Sequence, residues 1–164
     1  MLDAELQLVR FDGHLFGADQ PCFGCGPNHP IGMHLAFEQE GEELVSHFTP
    51  GEHYQGPPGI LHGGLVATFA DELAAWTVIA GTGKFGFTVT FEAKYRKAVR
   101  VGEPVVGRGR LTGPVRRLAE VEVTLHQRDT LVFTGQFRFA LLDRAATERL
   151  LEGPIPVAWE RFLR

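Results

Sequence analysis

The stretch "GPPGILHGGLVATFADELAAW", Gly56 to Trp76, decides the fold. After its Gly/Pro-rich opening, apolar residues fill most positions from Leu65 to Trp76. That pattern predicts a helix from about Gly63 to Ala80, buried on more than one side. Gly81 and Gly83 then supply the breakers that end it. Two features are foreign to an ordinary core helix. Asp71 and Glu72 stand side by side in its middle, and His62-Gly63-Gly64 occupies the edge where a Ser, Thr or Asp cap is expected.

A helix apolar nearly all round needs a partner on more than one flank, and the downstream sequence supplies one. Phe87, Val89, Phe91, Ala93 and Tyr95 alternate with Thr88, Thr90, Glu92 and Lys94. The same period of two runs through 105–111, 119–125 and 131–141, with turns at "RKAVRVGEP", "TGPVRR" and "QRDT". Four such runs predict an antiparallel sheet with one dry face. Gly107, Gly109 and Gly135 on that face leave room for the helix to approach. Upstream, "MHLAFEQE" and "ELVSHFTP" flank Gly41 as a hairpin. The expected architecture is α+β: a curved antiparallel sheet wrapped around one long central helix. Residues 1–30 read as a loop-rich N-terminal arm, 31–142 as the main domain and 143–164 as a helical tail broken by proline.

Composition narrows the class. The 164 residues are 44% hydrophobic and 22% charged, with a formal charge of −4, a balance for a globular domain and against nucleic-acid binding. The N-terminus lacks the apolar run of a signal peptide, and no stretch approaches the ~20 apolar residues of a membrane span. With two cysteines, a cytoplasmic setting with reduced thiols is expected. Cys22-x2-Cys25, followed by His29 and His34, has the flavour of a zinc site. Its spacing is compressed and a second cysteine pair is absent, so it reads as a tight turn with buried thiols, with no metal and no cofactor expected.

The helix start carries the chemistry. First-turn amides have no internal partner and a partial positive charge. Gly63 and Gly64 have no side chain to shield theirs, so a carbonyl oxygen can approach as in an oxyanion hole. His62 orients that turn or lines a pocket. The alternative is that these residues only permit tight packing. Asp71 and Glu72 invite either ion pairs to Lys94 or Arg96, or one structural and one catalytic role; adjacent positions diverge by roughly 100° around the helix. Asp71 lies eight residues past Gly63, roughly 12 Å along the axis. An amide and a base acting on one carbonyl must both lie within a few ångströms of it. Used together, they must come from two subunits.

At these residues the chain resembles the hotdog-fold acyl-CoA thioesterases of the PaaI-like type, in the 4-hydroxybenzoyl-CoA thioesterase superfamily. The likeness runs from about Pro21 to Leu142 and rests on "GPPGILHGGLVATFADELAAW", "FTVTFEAKYRKAVRVGEPV" and "CFGCGPNHPIGMHLAF". The resemblance implies hydrolysis of an acyl-CoA thioester without metal, in a homodimer or dimer of dimers with no nucleic acid or membrane partner. It assigns the catalytic carboxylate to Asp71, nine positions after His62, and the carbonyl-polarising amide to Gly63. Thr88 matches a hydroxyl near the attacked carbon. Members often hold the lytic water with Asn or Gln six before the histidine, where this chain has Gly56; Gln55 is the nearest candidate. Lys94, Arg96, Lys97 and Arg100 form a basic cluster suited to CoA phosphates, or an ordinary charged sheet edge. A non-catalytic acyl-CoA-binding hotdog domain is the alternative, with a hydratase a third option.

Overall fold

A computed structural model describes residues 10–163; residues 1–9 of the expected arm and Arg164 of the expected tail lie outside that span. Seven strands form one antiparallel sheet: β1 (Arg10–Asp12), β2 (Ala36–Glu40), β3 (Glu43–Phe48), β4 (Gly86–Tyr95), β5 (Val105–Thr112), β6 (Leu118–Gln127) and β7 (Thr130–Leu141). Their order is β1-β2-β3-β5-β6-β7-β4, so among the described residues β4 is an edge strand paired only with β7. The long helix α1 (Gly63–Thr82) lies against the concave face, and a short helix α2 (Arg144–Leu151) begins the tail.

The hairpin of β2 and β3 turns at Gly41, whose φ of 60° suits glycine. The arm is not all loop. Arg10–Asp12 pairs with Ala36–Glu38 and adds a first strand to the sheet. Gly81 lies within α1, and Gly83 alone ends it, at φ 69° with its N–H on the Ile79 carbonyl.

The period of two places Val121, Val123 and Leu125 of β6 opposite Phe137, Gly135 and Phe133 of β7, all on the inner face and all buried. Against them α1 buries Phe69, Leu73 and Trp76, each at 1% exposure or less. Side chains of this size contribute about 1.5–3 kcal/mol each on burial. A β-carbon on Gly107 would lie 2.7 Å from Leu73 Cδ2, and one on Gly109 would lie 2.3 Å from Thr77 Oγ1. These two glycines set the distance between helix and sheet. Gly135 does not: its β-carbon would meet the rings of Phe137 and Phe133, so it makes room for aromatic neighbours in its own strand.

By length and composition α1 is also apolar enough to cross a bilayer, contrary to the expectation from the sequence. Its apolar residues are instead packed beneath the sheet, as in the core helix of a folded domain. The arm and tail close the far end of α1. Phe16 stacks on Phe162 at 4.6 Å and meets Trp76 and Trp159 edge-on at 5.4 and 5.3 Å.

Candidate functional site

The turn entering α1 is held from three sides. His62 donates its backbone N–H to the Tyr54 carbonyl, and its own carbonyl accepts from Leu65 and Val66. Its Nδ1 accepts the Gly64 N–H at 2.9 Å, so the imidazole acts as the helix cap. This corrects the expectation that both glycine amides stand open: the Gly64 N–H is engaged. Of the first four amides of α1, only that of Gly63 has no acceptor among the described residues. Tyr95, at the end of β4, donates its hydroxyl to the Gly63 carbonyl at 2.7 Å and fixes the same residue from the other side. Sequence reasoning saw Tyr95 only as a strand position, and nothing in its pattern marks the contact.

Two turns further along α1, Asp71 receives the Thr88 hydroxyl at 2.7 Å. An irregularity in β4 makes this bond possible. The β4/β7 register pairs Thr88 with Phe139 but Thr90 with Arg138, leaving Val89 as a bulge. Before it, Thr88 shares the inner face with Phe139; after it, Phe91, Ala93 and Tyr95 share that face with Phe137, Gly135 and Phe133. The inserted residue reverses the alternation. Phe87, expected inward, lies opposite Ala140 on the outer side and is 50% exposed, yet it still lines the cavity at Asp71. Without the bulge, the residue aimed at the helix would be Phe87 or Val89 rather than a hydroxyl.

Asp71 and Thr88 open on a cavity of about 570 Å³ walled by Phe16, Trp76, Phe85 and Trp159. Gly63 is not part of its lining. The cavity also holds Glu72, Cys22 and Cys25, and no Lys, Arg or His among the described residues. Burial pushes the Asp71 carboxyl above its ordinary value, opposed by the Thr88 hydrogen bond and reinforced by the nearby Cys22 sulfur. Burial, followed by the charge of Cys22, pushes Glu72 up to about 8. Contact with Cys25 holds the Cys22 thiol down at about 5, and the same contact, with burial, drives Cys25 upward. Both acids of α1 are thus turned to one cavity. The ion pairs to Lys94 or Arg96 weighed for them do not form: Glu72 meets Cys22 at 3.1 Å instead.

The remaining candidates lie apart. Gln55 is exposed and its Oε1 accepts the Gly59 N–H at 2.7 Å, bracing the loop before α1. Lys94, Arg96 and Lys97 are exposed at the end of β4 and carry no ion pair among the described residues. Arg100 is exposed as well, and its backbone N–H is bound by Gln127. His29 and His34 do not join the cysteines; His34 Nε2 contacts the His29 carbonyl at 2.6 Å.

Residues 58–134 match the family model of the thioesterase superfamily. Among curated proteins, the human acyl-coenzyme A thioesterase THEM5 is 34% identical over 73 residues, which are 44% of this chain and 29% of that protein. Its mouse counterpart matches to the same extent. The chain therefore spans about three tenths of the length of the curated relatives it matches. Among solved structures, a thioesterase superfamily protein superposes with a TM-score of 0.67 at 20% identity, covering 82% of this chain and 68% of its own. A hypothetical thioesterase from Streptococcus pneumoniae, solved with coenzyme A, gives 0.60 at 20% identity over 64% of this chain and 86% of its own. At that identity the likeness speaks for the fold, which is the hotdog arrangement of helix and wrapping sheet. The match over residues 58–134, with that fold around it, makes this chain similar to the thioesterase superfamily.

Proposed function

We propose that this chain hydrolyses an acyl-CoA thioester to free acid and CoA in a homodimer. Each site would combine Gly63 of one subunit with Asp71 of the other. One observation carries the reading. Asp71, held by Thr88, faces a cavity that the Gly63 turn does not line, while Gly63 keeps an unused amide some two turns away on the same helix. In this reading each is one half of a carbonyl-attacking site, and the two halves meet only between chains.

Edge strand β4 offers the means of joining two copies. It has no partner on its outer side among the described residues, and Phe87, Val89, Phe91 and Tyr95 along it are 45–54% exposed. A long apolar edge of this kind is a template for pairing with another strand. In the dimer the thioester oxygen accepts the Gly63 N–H as negative charge grows on it. Asp71 of the partner subunit takes a proton from water, which attacks the carbonyl carbon, or attacks that carbon itself to form an anhydride that water then opens. The C–S bond breaks and the sulfur leaves as CoA thiolate. The burial that raises the proton affinity of Asp71 makes it a better base than an exposed carboxylate. Lys94, Arg96 and Lys97, exposed at the end of β4, would meet the CoA phosphates. That coenzyme A or acetyl-CoA occupies the related proteins of Streptococcus pneumoniae and Streptococcus mutans supports the choice of substrate class.

The test is thiol release from a panel of acyl-CoAs. Turnover of at least one member is expected, with a loss of about 10²–10⁴ in Asp71→Asn. A folded Asp71→Asn protein with undiminished turnover removes the mechanism. Tight binding of acyl-CoA without thiol release by the wild type favours the non-catalytic reading.

A further inference from the structure

We infer that Cys22, Cys25 and Glu72 form a binding site for a thiophilic divalent cation, zinc being the natural occupant, on the wall of the Asp71 cavity. Cys22 lies 3.1 Å from Glu72 Oε1, and the two sulfurs and the carboxylate oxygen all lie within 4.8 Å of one another. A tetrahedron built with Zn–S and Zn–O bonds of about 2.3 and 2.1 Å has edges of ~3.5–3.8 Å, which falls inside that limit. Two sulfurs select zinc over calcium or magnesium, which want oxygen. Three protein ligands leave the fourth position to solvent or to a ligand in the cavity, which Cys22, Cys25 and Glu72 all line.

The surroundings are organised for this task in ways a plain tight turn does not require. Both sulfurs receive N–H donors: the Cys25 backbone N–H points to Cys22 Sγ at 3.4 Å, and Gln20 Nε2 points to Cys25 Sγ at 3.4 Å. Gln20 is itself fixed, since its Oε1 accepts the Cys22 N–H. Donors on sulfur and an anchored outer residue are what hold thiolate ligands in place around a metal. Gly24 admits the third ligand, because a β-carbon there would lie 2.2 Å from Glu72 Cγ. Gly26 permits the turn, its β-carbon falling 2.5 Å from the Cys22 and Gln20 carbonyls. The cavity, finally, gathers two carboxyls and two thiols without one basic side chain among the described residues. A bound cation would supply the missing charge and pin the arm to α1 beside Asp71.

The test uses the whole chain, stripped of metal by a chelator, kept reduced with a phosphine and titrated with Co²⁺ as a spectroscopic probe. A thiolate-to-cobalt charge-transfer band saturating at one ion per chain, and bleached by one equivalent of Zn²⁺, is expected. Zn²⁺ should also slow alkylation of both thiols. Cys22→Ser and Cys25→Ser should each weaken or abolish the band. Glu72→Gln should keep sulfur ligation but lower affinity about tenfold or more, and His29→Ala should change nothing. The wild-type band reports sulfur ligation whether or not the cysteine variants fold, and none of these readouts depends on thioester turnover. Absence of the band overturns the inference. So does metal retained undiminished by the double cysteine variant, or a Cys22–Cys25 disulfide that peroxide forms equally fast with and without zinc.

Discussion

Replacing Gly63 by proline should remove one donor and little else. Gly63 is the first residue of α1, a position proline favours because the N–H there has no intrahelical partner. His62 before it has a ψ of 132°, clear of the helical region that proline disfavours in the residue preceding it. A β-carbon at 63 would meet only Tyr95 Cε1, at 3.7 Å, an ordinary contact. The amide lost has no acceptor among the described residues, so the variant should fold. Loss of one carbonyl-polarising donor costs about 10²–10³ in turnover, and Asp71→Asn removes the base. Each variant alone is therefore nearly inactive. In a mixed two-fold dimer, one site collects both damaged residues and the other collects both intact ones. Random reassortment makes about half of the dimers mixed, which returns about a quarter of the wild-type sites. Co-expression or joint refolding in equal amounts, followed by thiol release from the best acyl-CoA, measures this fraction. Activity no greater than the sum of the two parents, with mixed dimers demonstrated by native mass spectrometry, refutes the shared site.

Three further outcomes follow from particular contacts. Thr88→Val deletes the hydroxyl that opposes the burial of Asp71; the carboxyl then holds its proton to higher pH, so the acid limb of the kcat/KM profile should move upward, and Thr88→Ser should restore it. An unmoved limb in a folded Thr88→Val protein counts against Asp71 as the titrating base. Gly109→Ala drives a β-carbon to 2.3 Å from Thr77 Oγ1 and should cost about 1–3 kcal/mol in chemical denaturation, with Thr77→Ala added in the same chain recovering part of it. Equal losses in the single and double variants would mean that Thr77 does not set the helix-to-sheet distance. Val89→Asp places a charge on the half-exposed bulge of the free edge; sedimentation should show monomer and turnover should fall, while far-ultraviolet circular dichroism stays unchanged. A fully active dimer would place the interface elsewhere.

The wrap of sheet around helix was legible because it rests on repeated signals. Period-two runs from β5 to β7 agree with one another, and Leu65 to Trp76 is too apolar for any helix that is not enclosed. Local marks sufficed where one residue sets a backbone angle, as at Gly41 and Gly83. The parity of β4 was not legible. Phe87, Val89 and Phe91 continue the alternation unbroken, and "TVT" is good strand sequence throughout, so an inserted residue leaves no trace. Only the pairing with β7 reveals it, through registers that disagree on either side of Val89. The resemblance to a family implied a place for Thr88 near the attacked carbon without saying how its side chain comes to face the helix.

The helix acids expose a second limit, of a different origin. Sequence spacing separates Asp71 from Glu72 by angle and sends one of them to a structural role, but it assumes that such a role means a basic partner. Glu72 instead meets Cys22, fifty residues earlier, across the contact between arm and helix. No local pattern encodes that meeting, because neither residue's neighbours in sequence depend on it except Gly24. That glycine sits between two larger residues in "CFGCG" and is small because the glutamate side chain lies where its β-carbon would be. Read alone, the motif offered two sulfurs and no third group beside them. That group, Glu72, was already in view on α1, weighed only against basic partners. If Glu72 completes a cation site, the paired acids divide their work by neighbour rather than by direction: Asp71 keeps a hydroxyl and stays available to substrate, while Glu72 is committed to the ion. Exchanging the two, Asp71→Glu with Glu72→Asp, preserves the net charge of α1 and both acid types but moves each carboxylate by about a methylene, roughly 1.5 Å. If neighbour geometry assigns the roles, that double variant should lose both thioester turnover and tight cobalt binding, and retention of either would show that the assignment does not depend on it.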